Sequence, residues 1–407
     1  MALHSTKNTG CYILRWMKYF SHLHSAAAII QLYNGKQPFQ LFIKSFFKEH
    51  PKYGSRDRKS ITHLCYCFFR LGELLNDKPA EDRIIAGLFL CSAESNEVLQ
   101  QLKPVWNDLA ASSIQEKCIA LQIPYSACIL FPFLNHLSNG TDKEAFNLSH
   151  LQQPAVFVRV RPYHTKSVLA KMEQAGIAYR LLADNCVAVA ANTKLDGVID
   201  INKEAVIQDY SSQRISEFLQ LTITNTQLPT KTWDCCAASG GKSILAKDIF
   251  NNIDLVVSDI RASMLINLKK RFAEAGIKNY KVFAADLSRL PTAVPLAPFD
   301  LIIADVPCSG SGTWGRTPEE MRFFDEKEIA TYSALQRSIV SNIIPFLKTG
   351  GWLLYITCSV FEEENEAIAG FIKEHFSLDL VKMEVLKGYT NKADTMFAAL
   401  YQMKKTG

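Results

Sequence analysis

From Lys231 onward the chain repeats one pattern, in which a short apolar segment is followed by a turn and an amphipathic helical segment. The apolar segments contain Trp233, Val256, Val282, Ile302 and Leu354. Short apolar strands that alternate with helices are typical of a doubly wound parallel sheet. Because ligands of such sheets bind beyond the carboxyl ends of the strands, we expect the functional residues there.

Carboxylates follow three of these strands in succession, at Asp259, Asp286 and Asp305. A single Asp at a strand end is often only a turn or helix cap. Three at equivalent positions bring three carboxylates to one edge of the sheet. An acidic residue about twenty positions after a glycine turn also suits the hydroxyl groups of a ribose.

The turn after the first strand, residues 233–243, is rich in small residues and includes Gly240 and Gly241. Its Gly-Lys-Ser ending is similar to a phosphate-binding P-loop, but that motif needs a glycine where Cys236 stands. The turn and the strand-end carboxylates together therefore predict a nucleoside cofactor.

Cysteines follow the fourth and fifth strands, Cys308 in the segment DVPCSGSG and Cys358 in YITCS. An isolated free cysteine is most often a small buried apolar residue. Two cysteines at equivalent strand ends, beside a predicted nucleoside site, indicate thiolate chemistry instead. These positions alone do not decide which of the two thiols attacks.

Composition limits the remaining possibilities. A net charge of +5 is compatible with a polyanionic partner without requiring one. The eleven cysteines include no CxxC pair, so we expect no metal site. The first twenty residues hold no uninterrupted apolar region and no apolar run is long enough to cross a bilayer, so we expect a cytoplasmic monomer that binds no membrane.

These segments, together with Glu364-Asn-Glu366, resemble the Sun (RsmB-like) RNA (cytosine-5) methyltransferases of the bacterial 16S rRNA type. The family motifs are a CAAPGGK turn, DxPCSG, and TCS followed by ENE. The similarity covers the C-terminal half and extends to Gln208-Asp209 and to the closing segment 394–400. Two positions depart from the family pattern, with Ser239 in place of the usual proline and Arg161 where asparagine is frequent.

The resemblance implies three domains. Residues 216–407 would form a Rossmann-like class I methyltransferase domain that binds S-adenosylmethionine. Residues 150–215 would form a small α/β RNA-binding module, and their basic residues could form one face: Arg159, Arg161, His164 and Lys166. Residues 1–140, which show helical periodicity, resemble an all-helical NusB-like RNA-binding domain.

The resemblance also implies residue roles in the transfer of a methyl group from S-adenosylmethionine to carbon 5 of a cytosine in RNA, with 16S rRNA as the expected partner. Cys358 would be the nucleophile, Cys308 would help to release the product, and Asp305 would lie near both cofactor and base. The cofactor would be held by Cys236, Ala237, Ala238, Ser239, Gly240, Gly241, Lys242, Asp259, Asp286 and Asp305.

Three alternatives remain open from the sequence. In DNA cytosine-5 methyltransferases the cysteine after the proline is the nucleophile, which would favour Cys308 over Cys358. A tRNA is a second possible substrate. A non-catalytic RNA-binding assembly factor that retains the methyltransferase fold is the third, and Ser239 is the feature that favours it.

Overall fold

The computed structural model describes residues 6–223, 230–250, 252–289 and 298–405, with side chains from residue 17 onward. It divides into two compact units. The first comprises residues up to 134, 144–152 and 314–324, and the second comprises residues 135–143, 153–313 and those from 325 onward. The domain boundaries expected near residues 140, 150 and 215 stay a prediction.

The first unit is helical, as the periodicity of its sequence predicts, and its described part contains no strand. Its core is rich in aromatic rings, among them Phe39, Phe69 and Phe89, which are fully buried. Its helices are α1 (Thr6–Leu32), α2 (Phe39–Glu49), α3 (Ser55–Phe69), α4 (Ala80–Cys91), α5 (Glu97–Leu102), α6 (Pro104–Asp108), α7 (Ile114–Ala120), α8 (Lys143–Ser149) and α14 (Glu320–Phe323).

The second unit contains a small antiparallel sheet of four strands in the order β2-β3-β1-β4. Its strands are β1 (Val156–Val160), β2 (Tyr179–Ala183), β3 (Cys186–Val189) and β4 (Ala205–Ile207). The helix α9 (Thr165–Gln174) covers one face of this sheet with Val168 and Met172, which are fully buried.

The second unit also contains the predicted doubly wound sheet, with seven strands in the order β10-β11-β9-β8-β5-β6-β7. Strands β5 to β9 are parallel to their neighbours in this group, and β11 is antiparallel to both β9 and β10. The strands are β5 (Thr230–Asp234), β6 (Ile253–Asp259), β7 (Tyr280–Ala284), β8 (Phe299–Asp305), β9 (Leu347–Thr357), β10 (Leu378–Leu386) and β11 (Met396–Met403). The helices of this region are α10 (Tyr210–Arg214), α11 (Ser216–Leu219), α12 (Gly241–Ile249), α13 (Ala262–Glu274), α15 (Lys327–Ile343) and α16 (Glu366–His375).

The order of the strands in the seven-stranded sheet indicates where a ligand site lies. The chain runs outward from β5 through β6 to β7, and then returns to the other side of β5 as β8 and β9. The order therefore reverses between β5 and β8, and the crevice at their carboxyl ends is the usual ligand position in such sheets. Asp234 ends β5 and Asp305 ends β8, so both lie at this crevice.

Two of the four residues expected to form a basic face on the small sheet do not lie on one. Arg159 donates to Asp248 of α12 over 2.5 Å, and Arg161 donates to the same carboxylate over 2.8 Å. The Arg159 side chain is 2% exposed and that of Arg161 is 14% exposed. The physical reason is that one buried carboxylate attracts both guanidinium groups and fixes the small sheet against α12.

No helix of the described residues is both long enough and apolar enough to span a bilayer.

Candidate active site

The glycine turn between β5 and α12 approaches the neighbouring strand closely. The Ala237 N–H donates to the carbonyl oxygen of Ser258 in β6 over 2.8 Å. Gly240 has φ +82°, and a Cβ built there would lie 2.6 Å from the ring of Phe272. Glycine is therefore required at this position both for its backbone angle and for space. The turn places α12 with its amino terminus facing the crevice.

Ser239, which stands where the family has proline, has a specific partner. Its hydroxyl oxygen accepts a hydrogen bond from Arg271 Nη1 over 2.8 Å, and its carbonyl oxygen accepts from the same nitrogen over 3.0 Å. Arg271 Nε donates to Asn202 over 3.0 Å. The serine therefore fixes a guanidinium group beside the turn, which a proline could do only through its carbonyl oxygen.

A cavity of about 550 Å³ lies beyond the carboxyl ends of β5 to β8. Asp259, at the end of β6, accepts from the Ala238 N–H over 2.9 Å and from Arg261 Nε over 3.1 Å. The backbone N–H and Nη2 of Arg261 also donate to Asp259, so its four lone-pair positions are occupied, and a ribose hydroxyl would replace the exposed Arg261 side chain. Among the residues that line this larger cavity are Cys236, Ala238, Asp259, Arg261, Asp286, Asp305, Cys308, Tyr332 and Cys358.

A second cavity of about 300 Å³ adjoins the first, since Ala238, Asp305 and Cys358 line both. This smaller cavity extends towards the small antiparallel sheet. Its lining includes Gln208, Asp209, Asp234, Ala237, Ala238, Ser239, Gly241, Lys242, Arg271, Asp305, Cys358 and Asp394.

Lys242 and Asp305 form an ion pair at the boundary of the two cavities, with Nζ and Oδ2 2.5 Å apart. Burial alone would lower the pKa of Lys242, but the negative charges of Asp305 and Cys358 outweigh burial, so the pKa of Lys242 is raised. The ammonium group thus stays charged in the cavity that Cys358 also lines.

The two predicted cysteines are direct neighbours, with the sulfur atoms of Cys308 and Cys358 3.2 Å apart. Cys308 follows β8 and Cys358 follows β9, so the adjacent parallel strands bring the thiols together. The hydrogen bond to Cys358, and then burial, raise the pKa of Cys308 well above its ordinary value. At neutral pH Cys308 is therefore a thiol that can donate a proton to Cys358.

Glu364, the first acidic residue of the ENE segment, holds both cysteine loops. It accepts from the backbone N–H of Ser309 over 2.9 Å, from the hydroxyl of Ser359 over 2.7 Å and from Gln336 of α15 over 2.9 Å. Ser309 directly follows Cys308 and Ser359 directly follows Cys358. The carboxylate therefore fixes the two thiols relative to one another. Burial raises the pKa of Glu364, and these hydrogen bonds oppose the shift.

A third cavity of about 710 Å³ is larger than either of these but contains none of the strand-end residues. Its lining includes His136, Glu326 and Glu363, and the His136 ring bonds both carboxylates over 2.7 and 2.6 Å. By volume alone this third cavity would be chosen as the active site. The thiols, the glycine turn and the strand-end carboxylates, however, all lie at the two adjoining cavities. The described residues contain no group of three or more His, Cys, Asp or Glu that fits a metal ion.

The structure brings together most of the residues that the sequence singles out, but divides them between the two cavities. Cys236, Asp259 and Asp286 line only the larger one, whereas Ser239 and Lys242 line only the smaller one. Gly240 lines neither, because it packs against α13.

Several residues that line the cavities were given no role from the sequence, among them Arg271, Tyr332 and Asp234. Arg271 and Tyr332 lie on helices, where a single arginine or tyrosine carries no distinguishing pattern. Asp234 is the exception, because its position at the end of β5 matches that of the other strand-end carboxylates and could have revealed it.

Residues 219–405 match the family model described as 16S rRNA methyltransferase RsmB/F. The chain is 31% identical over 239 residues to ribosomal RNA small subunit methyltransferase B of Serratia proteamaculans, covering 57% of this chain and 54% of that relative. It is 28% identical over 188 residues to the human 28S rRNA (cytosine(4447)-C(5))-methyltransferase, covering 45% of this chain and 23% of that protein. The chain spans about half the length of the bacterial relatives that it matches.

Solved structures share the fold. PH0851 superposes with a TM-score of 0.69 at 19% identity, covering 93% of this chain and 98% of that chain. NSun6 from Pyrococcus horikoshii superposes with a TM-score of 0.55 at 15% identity, covering 67% of this chain and 97% of that chain. The Rossmann-like sheet, the thiol pair and the family match agree for the C-terminal part of the chain, since residues 219–405 match the model of the RsmB/F methyltransferases.

Proposed function

We propose that this protein transfers a methyl group from S-adenosylmethionine to carbon 5 of a cytosine in RNA, with small-subunit rRNA as the substrate. The observation that carries the proposal is the pair of thiols, 3.2 Å apart, at the boundary of the two cavities. One cavity suits a nucleoside cofactor, and the other suits a pyrimidine that must meet a thiolate. Relatives that carry rRNA methyltransferase names support the choice of rRNA.

The residues of the larger cavity fit S-adenosylmethionine. Asp259 can accept ribose hydroxyls in place of the exposed Arg261 side chain, and a volume of about 550 Å³ lies within the usual range for cofactor-sized ligands. When bound, S-adenosylmethionine supplies an activated methyl group. Cys236, Asp259 and Asp286 line this cavity and would hold the adenosine, and Asp305, which also lines the smaller cavity, would lie near both cofactor and base.

The smaller cavity takes the cytosine, which must be unpaired or flipped out of its stack for its ring faces to be reached. Carbon 5 of cytosine is too weak a nucleophile to take a methyl group unaided. The Cys358 thiolate therefore adds to carbon 6, which makes carbon 5 electron-rich. Lys242, fixed by its ion pair to Asp305, places a positive charge in the same cavity.

Asp305 has a second role at the pyrimidine edge. Its carboxylate accepts a hydrogen bond from the exocyclic amino group and so orients the base, while the Lys242 ammonium group paired to it stabilises the negative charge that develops in the ring when the thiolate adds. The ion pair with Lys242 holds Asp305 Oδ2, so Oδ1 remains for the base. Asp305, Cys358 and Ala238 line both cavities. A residue that acts on both the base and the methyl donor must lie at such a shared boundary.

Product release requires that the carbon-5 proton leave and that the bond between sulfur and carbon 6 break. The raised pKa of Cys308 keeps it protonated, so its thiol can donate to the departing Cys358 sulfur. The Cys308 thiolate that this leaves takes up the carbon-5 proton, and the electron pair of that carbon–hydrogen bond restores the double bond between carbons 5 and 6. Glu364 keeps the two sulfur atoms at the required separation by bonding both loops. Cys308 therefore acts after methyl transfer.

Purified protein, tritiated S-adenosylmethionine and an unmodified 16S rRNA transcript test the proposal. We expect label at carbon 5 of cytosine, and absence of label from the transcript and from isolated small subunits would refute it. Transfer to tRNA but not to rRNA would correct the substrate. Ultracentrifugation and fractionation would test the further proposals of a monomer and of a cytoplasmic location.

Two variants separate the roles of the thiols. We expect Cys358→Ala to abolish transfer, and Cys308→Ala to accumulate a covalent complex of protein and RNA that survives denaturing electrophoresis. The reverse pattern would make Cys308 the nucleophile, as in DNA cytosine-5 methyltransferases.

A further inference from the structure

Arg271 is a half-buried arginine whose charge has no direct partner. Within the described ranges no carboxylate lies within ion-pair distance of it, and its hydrogen bonds go to neutral oxygens of Ser239 and Asn202. Burial lowers the pKa of Arg271, although the nearby charge of Glu274 opposes this. An uncompensated guanidinium group that lines a cavity indicates an anionic ligand.

The amino terminus of α12 opens on the same cavity. Gly241 and Lys242 line it, and the described part of the chain offers no acceptor to their backbone N–H groups. Gly240, which precedes the helix, supplies no capping side chain. Free N–H groups at the start of a helix favour phosphate, and here they lie beside the unpaired arginine.

Two carboxylates that line this cavity are held by other donors, and no carboxylate of the described residues lies within ion-pair distance of Arg271. Asp305 pairs with Lys242 over 2.5 Å. Asp209 accepts from the backbone N–H of Ser211 over 2.9 Å and from that of Asp394 over 3.1 Å. The positive charge of Arg271 thus remains available to a ligand that enters from solvent.

We propose that Arg271 and the amino terminus of α12 bind the phosphate of the nucleotide whose base enters the smaller cavity, and that Ser239 positions Arg271 for this contact. The inference rests on the proposed function, because it takes an RNA nucleotide as the ligand. Arg271 touches the phosphate, whereas Ser239 is a positioning residue that acts through Arg271. The serine that replaces the family's proline then contributes to the phosphate site, because its hydroxyl group holds Arg271.

The test measures RNA binding, which needs no methyl transfer. A single-stranded oligocytidylate is titrated at several salt concentrations in the presence of S-adenosylhomocysteine. We expect Arg271→Gln to weaken binding roughly 10- to 100-fold, the effect of losing one charge-assisted hydrogen-bonded contact. The slope of log affinity against log salt should also become less steep by about 0.7, since one phosphate contact is lost.

Lys269→Gln is the matched control, because it removes the same charge from an exposed position of α13. Two residues along a helix, it lies roughly 200° around the axis from Arg271. We expect its salt slope to equal that of the wild type. An unchanged slope in Arg271→Gln, or an equal change in both variants, would overturn the proposal. A structural defect alone would lower affinity without moving the slope.

The positioning role of Ser239 is tested by a double-mutant cycle. Ser239→Ala should weaken RNA binding severalfold in the wild-type background and add nothing in the Arg271→Gln background, because the two act through one contact. Additive losses would refute the positioning role. If the wild type binds and methylates rRNA while Arg271→Gln behaves normally, only this inference fails. If the wild type methylates no RNA, the proposed function fails instead.

Discussion

The carboxyl group of Asp234 predicts an unusual dependence of stability on pH. Asp234 is fully buried, its Oδ2 accepts from Ser243 over 2.5 Å, and its Oδ1 has no partner among the described residues. Burial raises the pKa of Asp234 from its ordinary 3.8 to about 7. Since one pKa unit corresponds to about 1.4 kcal/mol, the ionised group lowers the free energy of unfolding by about 4 kcal/mol at alkaline pH.

The sign follows from proton binding. Because the folded pKa of Asp234 lies above the unfolded one, the folded state binds more protons between these two values. The contribution to stability is therefore fully present at low pH and is lost as the pH rises to about 7. Asp234→Asn cannot ionise, so its stability relative to the wild type should increase with pH. Its extra N–H group, which takes the place of Oδ1, adds a cost that does not depend on pH.

Urea denaturation at two pH values measures this difference. Between about pH 5.5 and about pH 8.5, we expect the free energy of unfolding of Asp234→Asn to gain about 2 kcal/mol on that of the wild type. The control is Asp379→Asn, which removes an exposed carboxylate and should keep a constant difference from the wild type. A constant difference for Asp234→Asn as well would refute the reasoning, because the carboxyl group would then titrate alike in both states.

Three further perturbations test other contacts. Asp248→Asn should cost about 3–5 kcal/mol in urea denaturation, because the buried Arg159 loses its ion-pair partner; a cost below about 1 kcal/mol would contradict this. Glu364→Gln should lower kcat for methyl transfer and cost about 1–3 kcal/mol of stability, since an amide cannot accept all the bonds that converge there; unchanged kcat would exclude its positioning of the thiols. Diamide should join Cys308 to Cys358, which intact mass would show as a loss of two hydrogens, and dithiothreitol should restore methyl transfer. Inactivation without that mass change would indicate another oxidised site.

The sheet and the position of the site follow from the sequence because both depend on a repeated local pattern. Each apolar strand ends where a polar residue begins, and parallel strands bring their ends to one edge. Asp259, Asp286 and Asp305 could therefore be placed at one edge without knowledge of any contact. The proximity of Cys308 and Cys358 follows in the same way, since β8 and β9 are adjacent parallel strands.

The contacts of long side chains were not predictable from this pattern. The sequence predicted that Arg159 and Arg161 lie on an exposed basic face. In the fold both guanidinium groups pair with Asp248, nearly ninety positions later in the chain. The sequence placed Lys242 in the cofactor turn, which stays a prediction, but gave no sign of its ion pair with Asp305. In each case the outcome depends on which carboxylate the fold brings within reach, and periodicity carries no information about that.

Ser239 shows how a departure from a family pattern can be misread when the sequence is the only guide. As an isolated substitution it was the feature that favoured a non-catalytic RNA-binding protein. In the fold its hydroxyl meets Arg271, thirty-two positions later, and Gly240 next to it supplies the backbone angle that the turn requires. The substitution therefore adds a hydrogen-bond acceptor, where a weakened cofactor site would be expected to lose contacts. For that reason Ser239→Ala should weaken the affinity for RNA more than it weakens the affinity for S-adenosylmethionine. If the substitution instead loosened the turn, the affinity for S-adenosylmethionine would fall at least as much.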